Sequence, residues 1–320
     1  MTLQQLHDLL ALARHGSLHA AARASGQTQP ALTRSLGRLE ADLGAALFDR
    51  HARGVRPTEA GRRLIEHAQR IVAEADRARD AVAQLSGDRR GRVAYGISVA
   101  ASILLAPMAV QQFRHRYPQV SLHSRSGLYH TLAGPLREGQ FDFVICPVPP
   151  GAADQQLLPQ ALLRSEMVIV ARRGHPLAGA LALEALGDAS FVSGGPRGLP
   201  GGGIHDAFEL AGLGAPRIAL HTDGLFDTVA LVAGTDCLAM VPAVLARSGL
   251  MRESLVALAL RDAMPVYEVA LFQQRGVPPT PAADELMREF ARAAARIPGQ
   301  ASATAPIEGP AKPRGAGQAR

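Results

Sequence analysis

Residues 17–48 read SLHAAARASGQTQPALTRSLGRLEADLGAALF, and their punctuation decides how the chain begins to fold. A small-residue helix over about 18–25 breaks at Ser25-Gly26 and restarts past Gln27. Thr28 is a residue type favoured as an N-cap, and Pro30 falls in the first turn, where a missing N–H costs nothing. Ala31, Leu32, Leu36, Leu39 and Leu43 recur at spacings of three and four, which predicts a second helix with one inward apolar face. Gln29, Thr33, Arg34 and Arg38 remain for the outer face. Two short helices, a tight turn and a polar-basic outer surface form a helix-turn-helix pattern, whose second helix suits a DNA major groove.

Working outward, Leu3, Leu6, Leu9, Leu10 and Ala13 make one stripe, so a first helix is expected over about 3–14. His15-Gly16 closes it and Ser17 caps the next. After Gly44, Leu47-Phe48 returns an apolar anchor. Arg50, Arg53 and Arg56 surround Gly54 in residues 49–58, which read either as a solvated basic loop or as a two-stranded wing that clamps phosphates. A long helix over about 58–86 then carries Leu64, Ile65, Ala68, Ile71, Val72, Ala75, Ala78, Val82 and Leu85 on one side. Its length calls for a partner, and a second copy of itself is the simplest one. SGDRRGR, residues 86–92, reads as a polar hinge.

Composition bounds the alternatives. The 320 residues suffice for a small N-terminal module and one or two larger α/β units, and 47% hydrophobic residues support real cores. The net charge of +6 is carried almost wholly by arginine and is compatible with a polyanionic partner. Cys146 and Cys237 each stand inside an apolar run, so they read as buried free thiols. No basic leader opens the sequence and no apolar run of about 18 residues could cross a bilayer, so a reducing cytoplasm and no membrane partner are expected.

From Arg92 the periodicity changes to short apolar strands alternating with helices. Strands are expected at 92–97, 120–125 and 141–146, with helices at about 103–117 and 129–138. A longer strand at 162–173 could leave one subdomain and enter another, and 266–272 could be the return crossover. Between them lie a short helix near 183–187, strands at 189–193, 217–222 and 237–241, and helices at 204–212 and 224–233. A helix over 281–297 would pack back on the first lobe. The reading is therefore two parallel-sheet α/β lobes with a cleft between them: lobe I about 92–161 and 268–297, lobe II about 162–267. The Pro-, Gly- and Ala-rich tail, 298–320, is expected to be disordered.

Nothing in the chain reads as catalytic. GGPRGLPGGG, residues 194–203, lacks the ending of a phosphate loop and reads as a loop over the cleft. No HExxH occurs, the eleven histidines are scattered, and neither a metal nor a cofactor is expected. Ser98, Ser102 and Ser193 lack the partners of a nucleophile and serve better as hydrogen-bond donors. Ser98 and Ser102 near a helix start could hold an anion, or could simply cap that helix. Thr222 could line the cleft from the other lobe, with Asp223 as a cap and Phe226 as an apolar wall. His130, His205 and His221 could approach it. A solute-binding protein and an α/β enzyme with a basic accessory domain are the rival classes; the first ninety residues oppose the former and the missing catalytic set opposes the latter.

The strings LLALARHGSLHAAARASGQTQPALTRSLGRLEADLGAALFDR and RGVRPTEAG complete a pattern: over about residues 1–297 the chain resembles the LysR-type bacterial transcriptional regulators. The resemblance implies an N-terminal winged helix-turn-helix over 1–58, a dimerisation helix and hinge over 59–91, and a two-lobed effector domain like periplasmic binding proteins over 92–297. It implies DNA contacts by Gln29, Pro30, Thr33 and Arg34 in the recognition helix and Arg53 in the wing, with Thr28 where the family usually has serine. Ser98, Ala100 and Ser102 match its effector-contacting region, to which Gly127 is added. The function expected is a sequence-specific DNA-binding regulator, not an enzyme, modulated by a small anionic metabolite held between the lobes. Double-stranded DNA, a second copy or a dimer of dimers, the effector and RNA polymerase are its expected partners.

Overall fold

The computed structural model describes residues 1–51, 54–151, 154–249, 251 and 253–297. Hydroxyl caps start the first helices. Thr2 opens α1 (Leu3–His15), with Gln5 reaching back to the Thr2 N–H in a reciprocal capping box. Ser17 opens α2 (Leu18–Ala24) by accepting from the Ala20 N–H, and Thr28 opens α3 (Gln29–Leu43) by accepting from the Ala31 N–H. Leu6, Leu9 and Leu12 of α1, Ala21 and Ala22 of α2, and Leu32, Leu36 and Leu39 of α3 bury one another in a single core. Leu43 was expected to join them but is 44% exposed: it occupies the last turn, and the left-handed Gly44 leads the chain away from the core.

Of the two readings of residues 49–58, the described residues form a paired wing. Strands β1 (Phe48–His51) and β2 (Gly54–Pro57) pair antiparallel, from Phe48 opposite Pro57 to His51 opposite Gly54. Glu40 of α3 fixes its entry by accepting from the N–H groups of Leu47 and Phe48, at 2.7 and 3.3 Å. The TEAG string that follows has a steric reason. Thr58 caps α4 (Glu59–Leu85), and a Cβ on Gly61 would stand 2.0 Å from the Leu47 carbonyl oxygen, so no larger residue fits that approach. Leu64, Ile65, Ala68 and Val72 of α4 complete the first core.

The chain divides, in the main, between Asp88 and Arg89 into two compact units. The second contains β3 (Arg90–Ile97), α5 (Val99–Leu104), α6 (Ala106–Arg116), β4 (Gln119–Ser126), α7 (Tyr129–Arg137) and β5 (Phe143–Pro147). There follow β6 (Leu157–Arg172), β7 (Ser190–Ser193), α8 (Gly203–Leu210), β8 (Arg217–His221), α9 (Leu225–Gly234), β9 (Leu238–Pro242), α10 (Ala243–Arg247), β10 (Leu255–Ala257), β11 (Val266–Gln274) and α11 (Pro281–Ala295). One sheet runs through the whole unit in the order β4-β3-β5-β11-β6-β9-β7-β8, with β10 beside β6. Within each lobe the flanking strands are parallel, as expected, but β11 pairs antiparallel with both β5 and β6. The two crossover strands therefore bind each other, and the sheet is mixed.

Four local expectations change. The hinge expected over 86–92 ends sooner, because Arg90, Gly91 and Arg92 already pair in parallel with Gln119, Val120 and Ser121. The single helix expected at 103–117 is two: α5 starts at Val99, and Pro107 in the first turn of α6 forces a break at Leu105. The crossover expected from residue 162 begins at Leu157 and includes Pro159, which is tolerated because β9 pairs only with Met167–Val170 further along and leaves that edge of β6 open. Residues 243–265, where periodicity predicts nothing, supply α10 and β10. The tail expected to be disordered lies outside the described residues.

Candidate functional site

The first site is the outer face of α3. Its inner face is held by Leu32, Leu36 and Leu39, which leaves Gln29, Pro30, Arg34 and Arg38 exposed and Thr33 half-buried. Residues 29 and 33, 30 and 34, and 34 and 38 are four apart, so these side chains share one helical arc. Thr28 precedes the arc, and its hydroxyl is committed to the Ala31 N–H at 3.4 Å. The arc thus combines two guanidiniums, an amide and a hydroxyl on a rigid, capped helix. Beside it, the wing is tied to the end of α1 by the Val55 N–H, which donates to the Gly16 carbonyl at 2.9 Å. Arg56 is exposed on the wing; Arg53 lies outside the described residues.

The second site is a cleft between the lobes of the second unit, with about 800 Å³ of empty space, part of it open to solvent at the mouth. It brings together Ser98, Ala100, Gly127 and Thr222, four of the seven residues expected there. Ser98 follows β3 and precedes α5, where its N–H donates to the Ile145 carbonyl at 2.7 Å. Its hydroxyl is buried, caps nothing, and has no hydrogen-bond partner among the described residues. The Thr222 hydroxyl accepts from the Gly224 N–H at 3.2 Å. Across the cleft, the crossover strands contribute Ser165, Met167 and Tyr267. Tyr267 lies opposite Ser165 in register and donates its phenol to Asp206 at 3.3 Å. Burial, then Asp206, pushes the Tyr267 proton affinity far up, so the phenol stays a donor. A Cβ on Gly203 would stand 2.1 Å from that phenolic oxygen, which explains one glycine of the 194–203 loop.

Three expected residues are elsewhere. Ser102 is inside α5 and half-buried, because the helix begins four residues earlier than the periodicity indicates, and it does not line the cleft. Ser193 is buried beneath the glycine-rich loop, donating to the Gly195 carbonyl at 2.8 Å, and acts as that loop's tether. Phe226 is 83% exposed on the outside of α9 and forms no pocket wall. Asp223 does not cap α9, which Gly224 opens without a side-chain bond; its carboxylate lines the cleft, 4.0 Å from His130 Nε2. His130, His205 and His221 are not in the lining, and burial followed by Arg197 lowers the proton affinity of His205.

Among the described residues lining the cleft, Asp223 is the charged side chain and no basic one joins it. The negative charge expected of an effector would therefore rest on hydroxyls and backbone N–H groups, with the unpartnered Ser98 Oγ first among them. The sequence reading missed Ser165, Met167 and Tyr267. The available signal was a serine and a tyrosine placed in otherwise apolar crossover strands, with residues 165 and 167 on one face of a strand of period two.

Comparison with known proteins bears on both sites. Residues 3–62 match the family described as bacterial regulatory helix-turn-helix proteins of the lysR family, and residues 86–295 match the LysR substrate binding domain. The chain is 31% identical to the HTH-type transcriptional regulator GalR of Pseudomonas putida over 89% of this chain and 72% of that protein. It is 34% identical to the SDS degradation transcriptional activation protein of a Pseudomonas species, over 75% of this chain and 78% of that one. Its fold is similar to that of CbnR, a LysR family transcriptional regulator, at a TM-score of 0.72 and 21% identity, covering 92% of this chain and 99% of that one. The structure of CbnR in complex with its target DNA gives a TM-score of 0.70.

Proposed function

The chain belongs to the LysR family of bacterial transcriptional regulators, and we propose how its two units share that work. It is a DNA-binding regulator with an effector-binding domain, not an enzyme. In our reading α3 enters the major groove. Gln29 and Thr33 hydrogen-bond base edges, Pro30 packs against the groove wall, and Arg34, Arg38 and Arg53 neutralise phosphates or reach guanines. Thr28 holds the start of the helix. The observation that carries this is one arc, with residues 29, 30, 34 and 38 exposed and 33 half-buried, on a helix whose other face is locked by three leucines.

The cleft then receives a small molecule with an apolar body and a hydrogen-bonding end that meets Ser98, with Ala100, Gly127 and Thr222 around it. Lining by Met167, Leu225 and Met240 beside hydroxyl groups supports that mixed character. Binding changes transcription only by favouring one of two arrangements over the other, so the effector must have unequal affinity for them. Pairing of α4 with a second copy presents two α3 helices to one duplex, and a dimer of dimers presents four. Contact with RNA polymerase completes the regulatory step in the cytoplasm.

Binding of the full chain to duplex DNA selected from a random pool tests the groove reading. Arg34→Ala should weaken binding and lower the slope of log affinity against log salt by about 1, while Thr33→Ala should relax preference at one position. Unchanged affinity and unchanged salt slope in both variants would remove α3 from the interface.

A further inference from the structure

Asp8 of α1 is 1% exposed, yet among the described residues none of its three side-chain partners is charged. Its Oδ1 accepts from Gln4 Nε2 at 3.0 Å and from Gln27 Nε2 at 2.7 Å, and its Oδ2 accepts from the Ser35 hydroxyl. These partners belong to three different parts of the module. Gln4 is one turn earlier in α1, Gln27 is in the turn between α2 and α3, and Ser35 follows Thr33 and Arg34 on α3 itself. Gln27 is in turn fixed by its N–H, which donates to the Ala22 carbonyl at 2.9 Å.

A buried carboxylate without a cationic partner is an expensive way to hold a core together; an apolar side chain of similar volume generally serves stability better. What such a network supplies instead is one definite arrangement, because every donor has a single acceptor to satisfy. We propose that Asp8 is a positioning residue that fixes the rotational setting of α3 relative to α1, and so sets which base edges the arc of residues 29, 33 and 34 can reach. The inference rests on the reading that α3 enters the major groove. At a side-chain radius of about 6 Å, a rotation of about 20° moves the reading groups by about 2 Å. That exceeds the tolerance of a 2.7–3.2 Å hydrogen bond to a base, whereas a long arginine can follow a phosphate. Loss of the network should therefore cost sequence discrimination before it costs general affinity for DNA.

The test uses the full chain, a duplex that the wild-type protein selects from a random pool, and a scrambled duplex of equal length and composition. Asp8→Ala removes both acceptor oxygens and leaves the Gln4, Gln27 and Ser35 donors without their common partner. It should weaken binding to the selected duplex about tenfold or more while changing binding to the scrambled one by no more than about twofold. Ser35→Ala should act in the same direction, about threefold, and Ser35→Thr, which keeps the hydroxyl, should retain discrimination. Should circular dichroism show that Asp8→Ala does not fold, the Ser35→Ala and Ser35→Thr pair decides the matter. Equal losses on both duplexes, or no loss on either, would overturn the proposal. A wild-type protein that selects no sequence from the pool would overturn the groove reading first, and the role of Asp8 with it.

Discussion

A single hydroxyl illustrates how the cleft is prepared. Ser98 is 2% exposed and its Oγ has no partner among the described residues, although its own N–H is bonded to Ile145 and a helix that it could cap starts next to it. An unsatisfied buried hydroxyl costs about 1–3 kcal/mol, so the folded protein is strained at this position. Ser98→Ala should consequently leave the unfolding midpoint unchanged or raise it, in contrast to most buried substitutions. Differential scanning calorimetry of the protein without effector checks this; a clear drop in midpoint would show that the hydroxyl is satisfied in solution. The residue scale is also where the sequence spoke most clearly. Ser17 and Thr28 cap the helices they were expected to cap, because such a cap needs only a hydroxyl and the next three residues. Ser102 and Phe226 were misread, because which way a helical residue faces depends on where the helix starts and what packs on it.

Among the elements, α4 is divided along its length. Its first half places Leu64, Ile65, Ala68 and Val72 on the core of the first unit, whereas Ile71, Val82 and Leu85 remain 42%, 66% and 79% exposed. Burying one such leucine is worth about 1.5–3 kcal/mol, which is ample reason for a second α4 to cover them. We expect Val82→Glu combined with Leu85→Glu to weaken self-association in sedimentation equilibrium by about tenfold or more, with thermal unfolding of the first unit little changed. Equal association constants for the variant and the parent would show that the pairing surface lies elsewhere. Periodicity found α4 and its apolar side, since a 3.6-residue repeat over many turns is hard to mistake. The same reasoning could not find the break at Leu105, which comes from Pro107, nor β10, a strand of three residues stabilised by its neighbour β6. The mixed pairing of β6 and β11 was equally out of reach, because pairing is a property of two distant segments and not of either one.

At the scale of the whole molecule, two carboxylates clamp parts of the first lobe that are far apart in sequence. Asp154, ahead of β6, accepts from the Tyr129 hydroxyl at 2.8 Å, from Arg137 Nε at 3.1 Å and from the Gln156 N–H at 2.9 Å, which joins α7 to the crossover. Glu285 of α11 is paired with Arg116 of α6 and with Arg288 and Arg292 of its own helix. Burial opposes ionisation of both, but the arginines and hydrogen bonds prevail and hold both carboxyls below the ordinary range. Burial and the facing Asp154 push the Tyr129 phenol up to about 12. A lowered folded-state value means that the stabilisation is complete above the unfolded value of about 4 and is lost as pH falls from there through the folded value. The unfolding midpoint should thus fall steeply below about pH 4, and Asp154→Asn should flatten that limb. At neutral pH the same variant should lose about 1.5–3 kcal/mol, and the two proteins should converge in acid; parallel curves from neutral pH to acid would rule out the carboxylate as the cause.

The sequence by itself determined the helix-turn-helix, the long helix that follows and the two-lobed α/β plan. Each of these rests on local punctuation or on a periodic apolar face, which short-range sterics and capping settle within a few residues. Ser98 and Thr222 were already expected at the cleft, but only the tertiary structure added Ser165 and Tyr267 to them. Ser98, Thr222, Ser165 and Tyr267 come from four segments, brought together by a sheet whose crossover strands bind each other and by a glycine that admits a phenol. It also decided that Asp8 is interior, a place its charge would not have foretold, because three neutral donors from three segments surround it.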